Sequence, residues 1–296
     1  MSESEAATEH FFTVDVEEYF QVNAFESVAP REEWPSHPSR VARSVDRLLE
    51  AMNRHGATGT FFVLGWIAKY RPEVVRRIVD AGHEIASHGY WHRRVTTLTP
   101  AEFRDDLRAS KYALEDLAGA PVIGYRAPSF SIVPGYEWAF DVLLEEGFRY
   151  DSSIFPISRR GYGYPGAPRT PNVIRRSAGT LNEFPLATTE MMGLTVPAAG
   201  GGYLRQFPFS VIRRAFVEAS ARRTPATFYI HPWEIDPEQP RLPVSLITRL
   251  RHYRGLSQTL PRIKQLLSEF RFTSIGAALT RASDGASTVT ASEMAQ

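Results

Sequence analysis

Two histidines stand four residues apart in the segment SHGYWH, which runs from Ser87 to His92. If this segment forms a tight loop or one helical turn, His88 and His92 can bind one metal ion through ring nitrogens about 2.0–2.1 Å away. The segment lacks the glutamate beside the first histidine that marks the helical site of zinc proteases. A histidine pair alone is more often structural or exposed, so the metal prediction depends on what other segments supply.

The first apolar run, TVDVEEYF, supplies two carboxylates. Side chains alternate along a strand, so Asp15 and Glu17 point to the same side and can face one cavity. A solvated strand end is the commoner fate of acidic residues. The apolar neighbours nevertheless indicate a buried strand, and together with SHGYWH this pair favours a metal site.

Three more predicted strand ends carry ionisable side chains, in GYRAPSF, YDSSIFP and FYIHPWEID. Arg126 can orient a carboxylate, or it can cover apolar neighbours as a surface residue. Asp151 can hold a histidine or cap a turn. His231 is a candidate general acid if the strand ends converge. No role is assigned to the remaining histidines, which are His10, His37, His55, His83 and His252.

Repeated strand and helix units are predicted to position these residues, because short apolar runs alternate with amphipathic segments. About seven such units favour a distorted (β/α) barrel, with an open doubly wound sheet as the alternative. The predicted domain covers residues 11–281, between a flexible N-terminus (1–10) and a disordered tail (282–296). Between residues 158 and 202 the rhythm fails, and Gly- and Pro-rich stretches predict loops around one strand, LNEFPLA.

Two helix starts are marked by capping residues. Ser39 precedes a segment whose apolar side chains share one helical face, so it is a predicted N-cap. Thr99 opens the sequence TPAE, in which Glu102 can complete a capping box.

The composition excludes several classes of site and partner. Cysteine is absent, so no disulfide, thiolate metal site or cysteine nucleophile exists. The formal net charge of +1 gives no general attraction to nucleic acid. An acidic, polar N-terminus without a secretion signal, and no run of about 18 apolar residues, predict a cytoplasmic protein without a transmembrane segment.

The motifs TVDVEEYF, SHGYWH, YRAPSF, YDSSIFP and IHPWE resemble, in this order, the five motifs of the NodB-homology polysaccharide deacetylases. These metal-dependent hydrolases remove N- or O-acetyl groups from carbohydrates. The subgroup associated with exopolysaccharide biosynthesis is the most similar, since its members also resemble this chain in GGGYLRQFP. The resemblance extends from about Phe11 to Ile275 and implies a distorted barrel.

The resemblance also implies roles for individual residues. His88 and His92 correspond to the ligands of a divalent metal ion, most simply zinc. Asp15 corresponds to the general base, Arg126 to the arginine that orients it, and His231 to the general acid. Apart from the resemblance, the mechanism leads us to expect that Asp151 holds His231.

One position departs from the family pattern. Many members carry a second, metal-binding aspartate directly after the first, but this chain has Val16 there. Glu17 is the favoured replacement ligand, because it lies on the same strand face as Asp15. Glu18 and Asp15 itself are the alternatives.

The implied substrate is an acetylated carbohydrate, which is a polysaccharide or its lipid-linked precursor, and association with membrane-bound polysaccharide synthesis machinery is a further expectation. The side chains expected to contact it are those of Tyr90, Trp91, Pro128, Tyr203 and Trp233. Two alternatives stay open: a hydrolase of small amides or cyclic ureides on the same barrel, and an inactive carbohydrate-binding relative.

Overall fold

A mainly parallel sheet forms the centre of the molecule in the computed structural model, which describes residues 7–159 and 161–282. The strands are β1 (Glu9–Val16), β2 (Thr60–Val63), β3 (Glu84–Ser87), β4 (Gly124–Tyr125), β5 (Tyr150–Asp151), β6 (Asn172–Arg176), β7 (Gly179–Glu183), β8 (Thr188–Met191), β9 (Leu194–Pro197), β10 (Thr227–Ile230) and β11 (Arg271–Thr273). The main sheet has the order β10-β1-β2-β3-β4-β5-β7-β6, and β11 pairs with the start of β1.

Helices follow most of the strands and cover the outside of the sheet. They are α1 (Val41–Arg54), α2 (Gly65–Tyr70), α3 (Pro72–Asp80), α4 (Pro100–Ala118), α5 (Trp138–Glu145), α6 (Gly201–Gln206), α7 (Phe209–Ala221), α8 (Leu246–Tyr253) and α9 (Leu256–Glu269). Residues 275–282 are also helical. The apolar face predicted for α1 is the face that it buries.

The sheet curves back on itself and closes into a distorted barrel. Leu186, just beyond β7, forms a parallel bridge to Thr227 of β10, and Gly200 bridges Tyr229 of the same strand. These contacts join the β7 side of the sheet to the β10 side. The predicted (β/α) barrel is therefore confirmed.

Alternation along β1 separates the barrel interior from the helix layer. Phe12, Val14 and Val16 belong to the main core beneath the helices. Phe11 belongs to a smaller apolar cluster with Phe62 and residues of other strands, which fills the barrel interior. Because parallel strands covered on both faces are apolar throughout, polar side chains concentrate at their carboxyl ends.

The stretch predicted as loops contains two antiparallel hairpins. β6 pairs with β7, which includes residues 181–183 of the predicted strand LNEFPLA, and β8 pairs with β9. Polar and Gly- or Pro-containing strands of this kind carry little periodic apolar signal, because most of their side chains face solvent. The short helices α2, α6 and α8 were also not predicted.

One of the two predicted helix caps is correct. Thr99 and Glu102 form the capping box at the start of α4. Ser39 does not cap α1, because its hydroxyl donates to the Glu18 carboxylate, and Arg40 is the N-cap residue.

The ordered domain begins slightly earlier than predicted. β1 starts at Glu9, and the His10 side chain is fully buried, so residues 9 and 10 do not belong to a flexible terminus. The predictions for residues 1–6 and 283–296 lie outside the described residues. No helix in the described part of the chain is long and apolar enough to cross a membrane.

Candidate active site

The carboxyl ends of β1, β3, β4 and β10 bring the predicted motifs together at one end of the barrel. Oδ2 of Asp15, near the end of β1, lies 3.8 Å from Nε2 of His231, which follows β10. Glu17 Oε1 lies 3.5 Å from the same ring nitrogen. The three side chains, far apart in sequence, thus face one space.

Arg126 fixes the Asp15 carboxylate from below. Its Nη1 donates to Asp15 Oδ1 and to Thr13 Oγ1, both at 2.7 Å. Its other nitrogens donate to the carbonyl and hydroxyl of Ser152, and its guanidinium carbon lies 4.1 Å from the centroid of the Phe62 ring. The side chain is completely buried, so the surface alternative for Arg126 is wrong. A planar guanidinium whose three nitrogens all donate hydrogen bonds holds the carboxylate in one orientation.

The SHGYWH segment is a tight loop. Gly89 has φ +75° and His92 has φ +52°, both in the left-handed region, which only glycine adopts without strain. Asp106 of α4 holds the loop: its Oδ2 accepts from the Tyr90 N–H at 2.7 Å and its Oδ1 from the Trp91 N–H at 3.2 Å. The loop thereby turns both histidine rings toward Glu17.

Glu17, His88 and His92 each offer one ligand atom, and these atoms all lie within 4.8 Å of one another. His88 Nδ1 lies 2.8 Å from the Arg126 carbonyl, so that Nδ1–H donates there and Nε2 is left with a lone pair. Burial lowers the pKa of His88 to about 4, which keeps the ring neutral. Two imidazoles and one carboxylate form a donor set that suits zinc and similar divalent ions.

Two buried polar atoms of this cluster have no hydrogen-bond partner among the described residues. Glu17 Oε2 lies 2.8 Å from His92 Nε2 but accepts no hydrogen bond, and His92 Nδ1 also has no hydrogen-bond partner among the described residues. Buried polar atoms without partners are costly unless an ion or water satisfies them. The cluster therefore fits a cation. Glu18 does not reach it, since its carboxylate accepts from Ser39 and from the Arg40 N–H.

A buried chain of charged groups extends from His231 away from the cavity. His231 Nδ1 lies 2.7 Å from Glu234 Oε1, and Glu234 Oε2 accepts from Nε of Arg205 at 2.6 Å. Arg205 lies in α6, within the GGGYLRQFP segment. The carboxylate requires Nδ1 of His231 to carry a proton, and this leaves Nε2 facing Asp15 and Glu17.

Electrostatic interactions keep this histidine charged. Burial alone would lower the pKa of His231, but the carboxylates of Glu17, Glu234 and Asp15 raise it to about 9. Burial would likewise raise the pKa of Glu17, yet the rings of His92 and His231 lower it overall. The site thus pairs an ionised Glu17 with a protonated His231.

Asp151 does not hold His231, contrary to the prediction. Its carboxylate accepts from the hydroxyl and N–H of Ser153, and it neighbours Glu183. Burial, followed by the proximity of Asp151, raises the pKa of Glu183 well above its usual range. Glu234 takes the position expected of Asp151, because it follows His231 within one helical turn.

A cavity of about 350 Å³ opens over the site. Its lining includes Asp15, Glu17, His92, Ser129, His231 and Trp233. Among the residues described between 158 and 202, the predicted loop region contributes only Tyr162, whose hydroxyl lies 2.5 Å from that of Tyr203.

The predicted substrate-contacting residues divide into two groups. Trp233 lines the cavity, and its Nε1 donates to Glu17 Oε1 at 2.9 Å. Tyr203 does not line the cavity, but its hydroxyl contacts that of Tyr162, which does. The other three residues do not line the cavity: Tyr90 packs in the core against Gly65, Trp91 packs near Trp34, and Pro128 is buried.

Sequence reasoning missed three residues that position the site: Asp106, Arg205 and Glu234. Glu234 stands inside the quoted motif IHPWE, so the three-residue spacing from His231 was an available signal. Arg205 stands inside GGGYLRQFP. Asp106 lies in an amphipathic helix, where nothing in the sequence distinguishes it from Asp105.

Comparison with family models divides the barrel into two parts. Residues 36–134 match the family described as Polysaccharide deacetylase, and residues 152–280 match a model described as a domain of unknown function (DUF3473). The first part carries His88, His92 and Arg126. The second carries Arg205, His231 and Glu234.

Curated relatives resemble part of the chain. A peptidoglycan deacetylase of Helicobacter pylori is 34% identical over 112 residues, which are 37% of this chain and 36% of that protein. A chitooligosaccharide deacetylase of Sinorhizobium fredii is 44% identical over 121 residues, which are 40% of this chain and 54% of that protein. The matches thus span about a third and about half of the length of these relatives.

Solved structures resemble nearly the whole molecule. The crystal structure of a candidate polysaccharide deacetylase from Mycobacterium smegmatis has a TM-score of 0.62 at 20% identity, covering 96% of this chain and 94% of that one. A Puue allantoinase has a TM-score of 0.58 at 17% identity, covering 92% and 88% of the two chains. At these identities the likeness shows the shared barrel fold.

Proposed function

We propose that this chain, which its family-model match and its relatives support as a NodB-homology polysaccharide deacetylase, is a divalent-metal-dependent hydrolase that removes acetyl groups from carbohydrate. The observation that carries the proposal is the convergence of three elements on one cavity. These are the Glu17, His88 and His92 cluster, the Asp15 and Arg126 pair, and the His231 and Glu234 pair.

The three-residue cluster is the proposed metal site, and zinc is the proposed ion because the donors are two imidazoles and one carboxylate. A divalent ion bound there would polarise the acetyl carbonyl and lower the pKa of water toward about 7. The remaining steps depend on side chains of this protein.

Asp15 is the proposed general base. Arg126 holds its Oδ1, while Oδ2 lies on the side of His231 and can accept the proton of the attacking water. As the carbon–nitrogen bond breaks, His231 donates the proton on Nε2 to the departing sugar nitrogen. Acetate and a free amine are the products, and Glu234 stabilises the imidazolium until the proton leaves.

The proposed oxyanion donor is the backbone N–H of Ser129. Arg126 and Ala127 donate their N–H groups to Ser87 O and Ser153 Oγ, and Pro128 has none. Ser129 follows at φ +55° and lines the cavity. A backbone donor held in a fixed turn requires no rearrangement as negative charge develops on the carbonyl oxygen.

The proposed substrate is an N-acetylated polysaccharide or its lipid-linked oligosaccharide precursor, in exopolysaccharide biosynthesis. The names of the peptidoglycan and chitooligosaccharide deacetylases among the relatives support the substrate class. The exopolysaccharide role rests on the resemblance in GGGYLRQFP, and the cytoplasmic location stays a prediction from the sequence.

The test combines metal content with acetate release from N-acetylated chitooligosaccharides. We expect about one zinc or similar ion per chain in the wild type. His88→Ala should lose both the ion and the activity. Asp15→Asn should keep the ion and lose activity about 10²- to 10⁴-fold. His55→Ala, at an exposed histidine, is the matched control and should keep both.

Two results would contradict the proposal. A wild-type protein that binds no ion and releases no acetate would favour the inactive carbohydrate-binding alternative. Hydrolysis of a cyclic ureide such as allantoin, without acetate release, would favour the small-amide hydrolase.

A further inference from the structure

Helix α8 exposes large apolar side chains to solvent. Leu246, Ile247 and Leu250 are 70%, 62% and 56% exposed. At about 100° per residue the three lie within an arc of about 100°, so they form one stripe along the helix. An apolar stripe that faces outward contributes nothing to the core and indicates a surface that it contacts.

Arginines flank this stripe on both sides. Arg249 and Arg251 stand on either side of it around the helix, and Arg254 follows the helix end. All three are exposed, and none forms an ion pair within the described part of the chain. Residues 239–268 contain five arginines, one lysine and no acidic residue, although the whole chain has a net charge of only +1. The surface around α8 is therefore strongly positive.

The opposite side of α8 forms a wall of the active-site cavity. Thr248, Arg251 and His252 line the cavity, and the His252 ring stacks on Trp233 with centroids 4.1 Å apart. Arg205 donates to the carbonyls of Arg251, His252 and Arg254 while it also pairs with Glu234. The exposed stripe is thus rigidly connected to the catalytic end of the barrel.

We propose that α8 binds the surface of a membrane that contains anionic lipids. The apolar stripe would enter the boundary between headgroups and acyl chains, and the arginines would contact lipid phosphates. Charge favours this occupant over a second copy of the chain, because like-charged surfaces repel. The size of the stripe also favours a membrane over a second copy, because three side chains bury less than the roughly 800 Å² per partner of a stable protein interface.

The binding itself does not depend on the proposed deacetylase function. The functional consequence of membrane binding does depend on the deacetylase function. A helix that forms both the membrane contact and the cavity wall would hold the active site beside a lipid-linked precursor. This consequence rests on the proposed function.

The test is co-sedimentation of the purified protein with vesicles of phosphatidylcholine, with and without phosphatidylglycerol. We expect the wild type to bind the vesicles that contain phosphatidylglycerol, with binding that weakens as salt is raised. The triple variant Leu246→Ser, Ile247→Ser, Leu250→Ser should bind about tenfold or more weakly. Arg249→Gln with Arg254→Gln should also weaken binding and reduce its dependence on salt.

The turn between β8 and β9 provides a matched control. Met192 and Leu194 are 100% and 70% exposed there, and the adjacent charge is Glu190, paired with Arg169. Met192→Ser with Leu194→Ser removes comparable exposed apolar area and should leave vesicle binding unchanged.

Several outcomes would overturn the inference. These are no binding by the wild type, equal binding to vesicles of phosphatidylcholine alone, or an equal loss in the β8–β9 control variant. Self-association of the wild type that the triple variant abolishes, without vesicle binding, would instead identify an interface between copies.

Acetate release from soluble chitooligosaccharides separates the two proposals. The triple variant should match the wild type in this assay, since none of its changed residues lines the cavity. Vesicle binding without acetate release would remove the proposed function and leave the membrane contact intact.

Discussion

At the scale of single residues, the position of Glu17 explains how the site accommodates Val16. Along β1, Thr13 and Asp15 both contact Arg126 in the barrel interior, while Val14 and Val16 pack beneath the helices. An aspartate in place of Val16 would have to leave this apolar layer. Glu17, one residue later, returns to the interior side and meets His92.

Glu234 should act as a positioning residue for His231, and Glu234→Gln tests this role. The variant removes a carboxylate that raises the pKa of His231, so that pKa should fall. Because the general acid must be protonated, the alkaline limb of the pH profile of kcat should move to lower pH, with kcat about 10- to 100-fold lower.

Metal content and pH-rate profiles check this prediction. Glu238→Gln, an exposed carboxylate in the same segment, is the control and should leave both unchanged. A drop in kcat without any shift of the alkaline limb would mean that Glu234 only supports the fold.

At the scale of elements, the SHGYWH loop depends on α4. Asp106 accepts two backbone N–H groups of the loop while it is almost completely buried. Burial raises the pKa of this carboxyl, and these hydrogen bonds oppose the shift. The loop that carries both histidine ligands is therefore positioned by a residue on a different element.

Asp106→Asn should destabilise the protein and weaken metal binding together. An asparagine keeps one acceptor oxygen but turns an NH₂ group toward the second loop N–H. This unsatisfied contact should lower the free energy of unfolding by about 1–3 kcal/mol. Urea denaturation and metal titration measure the two effects. Asp105→Asn, the exposed neighbour on the same helix, should change neither. Unaltered metal affinity in a destabilised Asp106→Asn protein would show that the loop keeps its shape without these bonds.

At the scale of the whole molecule, two histidines distant from the cavity connect stability to pH. His10 Nδ1 accepts from the Ala226 N–H at 3.1 Å, and His83 Nδ1 accepts from the Gly59 N–H at 3.1 Å. Burial lowers the pKa of each to about 4, from an ordinary value of 6.5. Both are held neutral, because a proton on Nδ1 would oppose the backbone donor.

The contribution of these two histidines to stability should therefore be complete above pH 6.5 and fall as the pH drops from 6.5 toward 4. In that range the unfolded chain binds protons at these positions and the folded chain does not. The His10 contribution should be about 1–3 kcal/mol, measured by chemical denaturation across this range.

His10→Asn isolates this contribution from that of the carboxylates. Its side-chain oxygen can accept from Ala226 and its amide can donate to Ser220, but it does not titrate. The difference in unfolding free energy between wild type and variant should change with pH in this window. A constant difference would mean that His10 titrates alike in the folded and unfolded chains.

The sequence by itself determined the barrel class and the core of the site. Strand alternation is a local property, so it placed Asp15 and Glu17 on one face without any knowledge of the fold. The βα rhythm then placed the motif residues at strand ends, where parallel strands bring side chains together.

Only the tertiary structure decided which group contacts which. His231 pairs with Glu234 rather than Asp151, because the distance between strand ends around a closed barrel does not follow from order along the chain. Tyr90 packs in the core and Asp106 holds the loop for the same reason. The exposed stripe of α8 likewise could not be predicted, since the sequence pattern did not indicate this helix and only the structure shows that Leu246, Ile247 and Leu250 face outward. Periodicity reports that a helix has an apolar face, whereas packing determines which face is buried.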